Sequence, residues 1–136
     1  MAETKKIAIV VSEGTFDKAM MAMMIGNTAA AMGTEVHIFH TFFGLPLLKK
    51  GSDPKLAGMY RLFTGMFKKK MKKVGVEDYQ GQIKTALELG VNLYACSTTM
   101  ELMGVRKEDM VEGVKILGAA GFLDIAYDTD SQFFIG

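Results

Sequence analysis

"VNLYACSTTMELMG", residues 91–104, changes periodicity within one or two residues. The run Val91–Ala95 is apolar and β-prone, and it reads as a buried strand. Ser97–Gly104 carries helix-start hydroxyls and ends on glycine, so it reads as a short helix. A strand that feeds straight into a helix is half of a βαβ unit. The pattern extends outward in both directions. Residues 5–12 (KKIAIVVS) and 34–43 (TEVHIFHTFF) are strands, and residues 15–33 form a helix that ends at Gly33. That helix is apolar around most of its circumference, so it should be packed on more than one side. Residues 44–54 are expected to be a loop. Asp53 and Pro54 then suit the cap and first position of a basic amphipathic helix over about 54–74. Asp78 caps a further helix to Gly90. Downstream lie a turn at 107–110, a strand at 113–118, a helix at 119–128 and a strand at 131–135. Strands that alternate with helices and read as continuous apolar runs predict an α/β fold. The expected form is a three-layer α/β/α sandwich on a mainly parallel sheet of about five strands, with residues 1–136 as a single domain.

Composition narrows the function. Of 136 residues 49% are hydrophobic and 23% charged, which suits a packed domain rather than a disordered chain. One cysteine allows no internal disulfide and fits a reducing, cytoplasmic setting. The opening MAETKK lacks the apolar segment of a signal peptide, and no apolar run is long enough to span a bilayer. The net charge of +1 hides an asymmetry: residues 49–73 hold nine Lys/Arg and one acid, so that segment carries +8 and the rest −7. Twelve methionines and no tryptophan give an apolar surface that can repack.

Chemistry in open α/β sheets gathers beyond the carboxyl ends of the strands, and Cys96 falls there. Thr98 and Glu101 have capping-box spacing, with Ser97 as a competing cap, so Cys96 precedes a helix start. Backbone N–H groups and the positive helix end favour its thiolate, the nucleophilic form. Equally, a free cysteine is often a small buried hydrophobe. Other strand ends reach the same rim and bring Ser12, Gly14, Thr15, Phe16, His40 and Thr41, with Ser97 and Thr98, as lining candidates. Glu13 and His40 are the proton carriers available there, although His40 reads first as a hydrogen-bonded packing residue. Strand alternation sends His37 and His40 to opposite faces, no second cysteine completes a zinc site, and no Cys-x-x-Cys or nucleotide fingerprint occurs. No metal or cofactor is therefore expected.

Residues 12–50, opening on SEGTF, resemble the start of soluble DsrE/DsrF/DsrH-like proteins, and residues 88–136 are similar to that family's cysteine segment and carboxyl end. The most specific element is Ala95-Cys96 followed by hydroxyls, Met100, Met103-Gly104 and Gly113-Val114. The resemblance implies an α/β/α sandwich, oligomeric assembly and intracellular sulfur trafficking. It implies that Cys96 carries a sulfane sulfur, as a persulfide or thiosulfonate, and exchanges it with a small TusA-like carrier protein. As an enzyme the chain is then a sulfurtransferase. One thiol suffices for such a relay but cannot resolve an internal disulfide. The alternative, from another class, is a non-catalytic assembly subunit with an incidental thiol.

The basic segment has three readings: a solvated face, a membrane-surface helix, or a protein interface. A membrane helix needs a fuller apolar face or a lipid anchor, and no nucleic-acid motif accompanies the lysines. An interface is preferred, with a second copy in a homo-oligomer or with an acidic carrier. Lys68, Lys69, Lys70, Lys72 and Lys73 are its expected partner-facing charges.

Overall fold

Strand β1 (Lys6–Val11) sits inside the sheet, as its β-branched run requires, in a computed structural model that describes residues 3–136. Met1 and Ala2, the start of the expected 1–136 domain and of the MAETKK lead-in, lie outside the described residues. Helix α1 (Phe16–Ala31) returns the chain to β2 (Glu35–His40). Then come α2 (Thr64–Lys73), α3 (Tyr79–Glu88), β3 (Asn92–Cys96), α4 (Ser97–Met103), β4 (Lys115–Leu117), α5 (Ala119–Ala126) and β5 (Ser131–Ile135). The five strands run in the order β4-β3-β2-β1-β5, and every neighbouring pair is parallel. The sheet is thus fully rather than mainly parallel, in a three-layer α/β/α arrangement.

Period-two alternation divides the core between the layers. Ile9, Val11, Val36, Ile38, Leu93 and Ala95 face α1 and α3. Ala8, Phe39, Tyr94 and Cys96 face Phe122 and Ala126 of α5. Phe39 and Phe122 stack with centroids 4.6 Å apart. Helix α1 is packed on two sides, by the sheet and by α3. The buried Asn27 amide locks the helix pair by donating to the Gln82 carbonyl at 3.0 Å and its side-chain oxygen at 2.9 Å.

Two stretches differ from expectation. Residues Phe42–Leu48 form a 3-10 turn rather than strand end and open loop, because Leu45, Leu47 and Leu48 all find buried positions. The helix expected over 54–74 starts only at Thr64, after a 3-10 turn over Gly58–Phe63. Gly58 adopts φ +59, a left-handed backbone incompatible with a continuous helix. The buried Thr64 hydroxyl fixes the irregular stretch by donating to the Arg61 carbonyl and accepting from the Leu56 N–H. Asp53 is consequently not a helix cap; its carboxylate pairs with Lys55 and Lys68. Asp78 does cap α3, accepting from the Gly81 N–H at 2.8 Å.

Candidate functional site

Cys96 is the last residue of β3 and also the N-cap of α4, with extended backbone angles (φ −69, ψ 119). Strand pairing continues through Cys96 to Leu117, one residue beyond the expected end. The helix therefore begins at Ser97, and the cap position falls on the cysteine. The expected Thr98–Glu101 capping box does not form: α4 has no side-chain cap, and both residues are exposed. The unpaired N–H groups of the first turn are left to the sulfur.

The sulfur is recessed, with Cys96 only 7% exposed. Burial alone pushes the thiol pKa up. Against it act the nearby polar hydrogens of Thr99, Thr41 and Thr98, which favour the thiolate. The donors prevail, and the net displacement is downward. That direction is opposite to the one apolar burial alone would give.

Thr99 organises the cradle and is itself almost fully buried. Its Oγ1 accepts from the Phe42 N–H at 3.0 Å and lies 3.2 Å from the Thr41 Oγ1. With a lone pair taken by Phe42, its own proton is free for the sulfur or for Thr41. Thr41 follows β2, whose register places His40 beside Ala95 and so Thr41 next to Cys96. Two close approaches hold the adjoining turn. A Cβ on Gly44 would lie 2.3 Å from the Val11 carbonyl oxygen, and one on Gly14 would lie 2.6 Å from that of Phe43.

The other candidates disperse. The Ser12 N–H donates to the Ile135 carbonyl, so Ser12 is engaged with β5. Thr15 caps α1 by position, yet its buried hydroxyl has no partner. Phe16 is buried under the Lys68 ammonium, 5.4 Å from its ring centroid, and its N–H donates to the Lys55 carbonyl. Half-buried Ser97 turns toward Gly118, the N-cap of α5. His40 is fully buried on the opposite sheet face from Cys96. Neither ring nitrogen is in hydrogen-bond geometry, which corrects the hydrogen-bonded packing role expected for it. Burial lowers its pKa to about 4, so it stays neutral at ordinary pH. Glu13 is paired with Lys18. His37 bonds to the Tyr94 hydroxyl at 2.8 Å. Among the described residues, no three His, Cys, Asp or Glu side chains gather to hold a metal.

Sequence reasoning passed over Thr99 because the capping-box spacing was applied from Thr98. Applied from Cys96 it selects Thr99, three residues on. The basic segment also needs correcting. Lys68 is drawn inward between Asp53 and the Phe16 ring, whereas Lys69, Lys70, Lys72 and Lys73 remain exposed. Tyr60, Phe63 and Phe67 do not fill this chain's core; with Met59, Leu62 and Met66 they are exposed. Leu56 is partly buried against the core.

These features define a class: an all-parallel α/β/α domain with a recessed thiol at the carboxyl edge of its sheet. The particular family follows from comparison. The profile of the DsrE/DsrF/DrsH-like family matches residues 3–60 and 55–134, and the chain belongs to that family. It is 34% identical over 158 aligned positions to a protein of Allochromatium vinosum named sulfur carrier protein DsrE2, covering 98% of this chain and 99% of that one. It is 35% identical over 157 positions to the uncharacterized protein YrkE of Bacillus subtilis, covering 98% of each. Among solved structures, a protein of unknown function from Methanobacterium thermoautotrophicum superposes with a TM-score of 0.71 at 14% identity, covering 96% of this chain and 98% of that one. The ychN protein from E. coli superposes at 0.66 and 12% identity, covering 97% and 99%. These two share the fold. No helix among the described residues is long and apolar enough to cross a membrane.

Proposed function

We propose that the chain is a sulfur-trafficking protein that holds a sulfane sulfur on Cys96 and passes it to a partner thiol. The observation that carries this reading is the placement of a lone, recessed thiol at the N-cap of α4, beside Thr41 and Thr99 at the carboxyl edge of the sheet, and the downward direction of its pKa agrees with it. A donor set around sulfur serves a carrier twice. It supplies the attacking thiolate during loading, and it stabilises Cys96 as leaving group during discharge. In loading, the thiolate attacks a sulfane sulfur of a polysulfide. That S–S bond breaks, and its electron pair leaves on the shortened polysulfide. The sulfur-carrier relative supports the same reading. The cargo is a persulfide or thiosulfonate, the acceptor is a TusA-like carrier, and the setting is a cytoplasmic homo-oligomer. The exposed apolar side chains of residues 59–67 offer surface for that assembly. No cofactor is needed.

Burial of Cys96 favours a second reading, an assembly subunit with an incidental thiol. Intact-protein mass spectrometry after exposure to polysulfide, thiosulfate or tetrathionate separates the two. Wild type should gain mass and lose it to a reductant, and Cys96→Ser should gain none. Loading that persists in the serine variant, or no loading of wild type by any of the three donors, sinks the carrier reading.

A further inference from the structure

Phe42 is the only residue other than glycine, among those described, with a left-handed backbone, at φ +48. A side chain bearing Cβ adopts this region unfavourably, and such strain persists only where the surroundings enforce it. Here they do. The Phe42 N–H is held by Thr99, the Gly44 N–H donates to the Thr41 carbonyl at 2.9 Å, and Leu45, Leu47 and Leu48 are buried beyond the turn. The strained residue contributes little to the core: Phe42 is 57% exposed and Phe43 is 69% exposed. Two residues with exposed aromatic side chains thus follow Thr41 directly in the chain, and the backbone of the first is bonded to Thr99. Met103, one turn beyond Thr99 on the same side of α4, is also exposed.

We propose that Phe42 and Phe43, backed by Met103, form the docking collar for the protein that removes sulfur from Cys96, a proposal that rests on the sulfur-carrier reading. The recess decides what can dock. A second copy presents an equally recessed sulfur, so two copies cannot bring their sulfurs to bonding distance. A small thiol needs no aromatic anchors. The occupant is therefore a different protein whose thiol protrudes from an apolar surround. Paired aromatic anchors beside a dehydrated centre are where binding energy concentrates in protein interfaces. In the transfer, the partner thiolate attacks the outer sulfur of the Cys96 persulfide and forms a new S–S bond. The bond to Cys96 Sγ breaks, and its electron pair stays on Sγ, where the Thr41 and Thr99 hydroxyls receive it. Any proton on the outer sulfur travels with that sulfur, and no oxidant or reductant is consumed.

The test uses the full chain, a reduced TusA-like carrier protein as docking probe, and glutathione as small-thiol probe. Calorimetry measures carrier binding to the unloaded protein; mass spectrometry follows discharge of polysulfide-loaded protein to each thiol. Phe42→Gly should bind the carrier at least about tenfold more weakly, as expected for an interface anchor. Discharge to glutathione is compared in Phe43→Ala, where it should stay within about twofold of wild type because a small thiol needs no anchor; Phe42→Gly keeps its N–H for Thr99 and is read by carrier binding and stability. Its thermal midpoint should hold or rise, since glycine accepts the left-handed backbone. Phe43→Ala, free of that backbone effect, should show the same loss of carrier binding. Wild-type carrier binding in both variants, or no binding by wild type itself, overturns the collar. Equal slowing of Phe43→Ala toward glutathione overturns it too, by showing that the ring only shapes the thiol recess. A wild type that takes no sulfur yet binds the carrier through Phe42 refutes the carrier chemistry and leaves the collar standing.

Discussion

Replacing Thr99 by valine deletes one hydroxyl while keeping the side-chain shape, at a residue that is 1% exposed. That hydroxyl accepts from the Phe42 N–H at 3.0 Å, and its proton, when turned to the sulfur, favours the thiolate. A hydrogen bond to a charged group contributes roughly 1.5–3 kcal/mol. At the low end, its loss reduces the acid dissociation constant of Cys96 about tenfold. Below both titration midpoints, thiolate falls about tenfold, but each remaining thiolate is about threefold more nucleophilic because nucleophilicity rises with basicity. Alkylation by iodoacetamide should therefore slow about threefold at low pH and quicken about threefold above both midpoints, so the two pH–rate curves cross. Intact mass against time, across about pH 5 to 10, gives both curves. The orphaned Phe42 N–H should also cost about 1–3 kcal/mol of stability, read from denaturant midpoints. The linkage has a sign. A thiol whose folded pKa lies below the ordinary value of about 8.5 adds stability as pH rises from the folded pKa to that value. Thr99→Val should flatten that rise, and Thr99→Ser should restore it. A folded valine variant with an unmoved midpoint, or one slowed equally at every pH, would refute the electrostatic account.

His40 is neutral when folded and charges on unfolding in acid, so stability should fall as pH drops from about 6.5 to about 4. The window corresponds to about 3 kcal/mol, and His40→Leu should remove this slope in urea titrations at several pH values. Changing Lys69, Lys70, Lys72 and Lys73 to Gln should leave circular dichroism intact, slow sulfur transfer to an acidic carrier and flatten its salt dependence. Charge steering is screened beyond about 10 Å at 0.1 M salt, so an unchanged salt slope would reduce these lysines to a solvated face.

Much of the fold was legible because strand runs and helix punctuation agreed at most boundaries. SQFFI became β5 at the expected residues, and Asp78 capped α3 as its position implied. Segment 54–74 misled because Met59, Tyr60, Phe63 and Phe67 have helical spacing, while spacing cannot reveal that Gly58 takes a left-handed turn. Leu45, Leu47 and Leu48 read as loop because the turn Pro46 interrupts them, although burial later fixes them. At the site, Cys96 and Thr41 were legible from topology. Thr99 was hidden by a one-residue error in where β3 stops. The loss of His40 from the rim follows from register: His40 pairs with Ala95 and so lies on the sheet face opposite Cys96, which no sequence pattern fixes.

The solitude of the recessed sulfur bears on oxidative wear. A thiolate struck by peroxide becomes a sulfenic acid, which a neighbouring thiol normally traps as a disulfide before further, irreversible oxidation. This chain has one cysteine and so no internal rescue. Its protection is spatial: peroxide must enter a recess that leaves Cys96 only 7% exposed. A bound sulfur adds a second shield, because a persulfide is a reversible cap on the sulfur beneath it. A protein kept loaded should therefore outlive an empty one under peroxide, and its working lifetime would depend on how seldom the thiol stands bare.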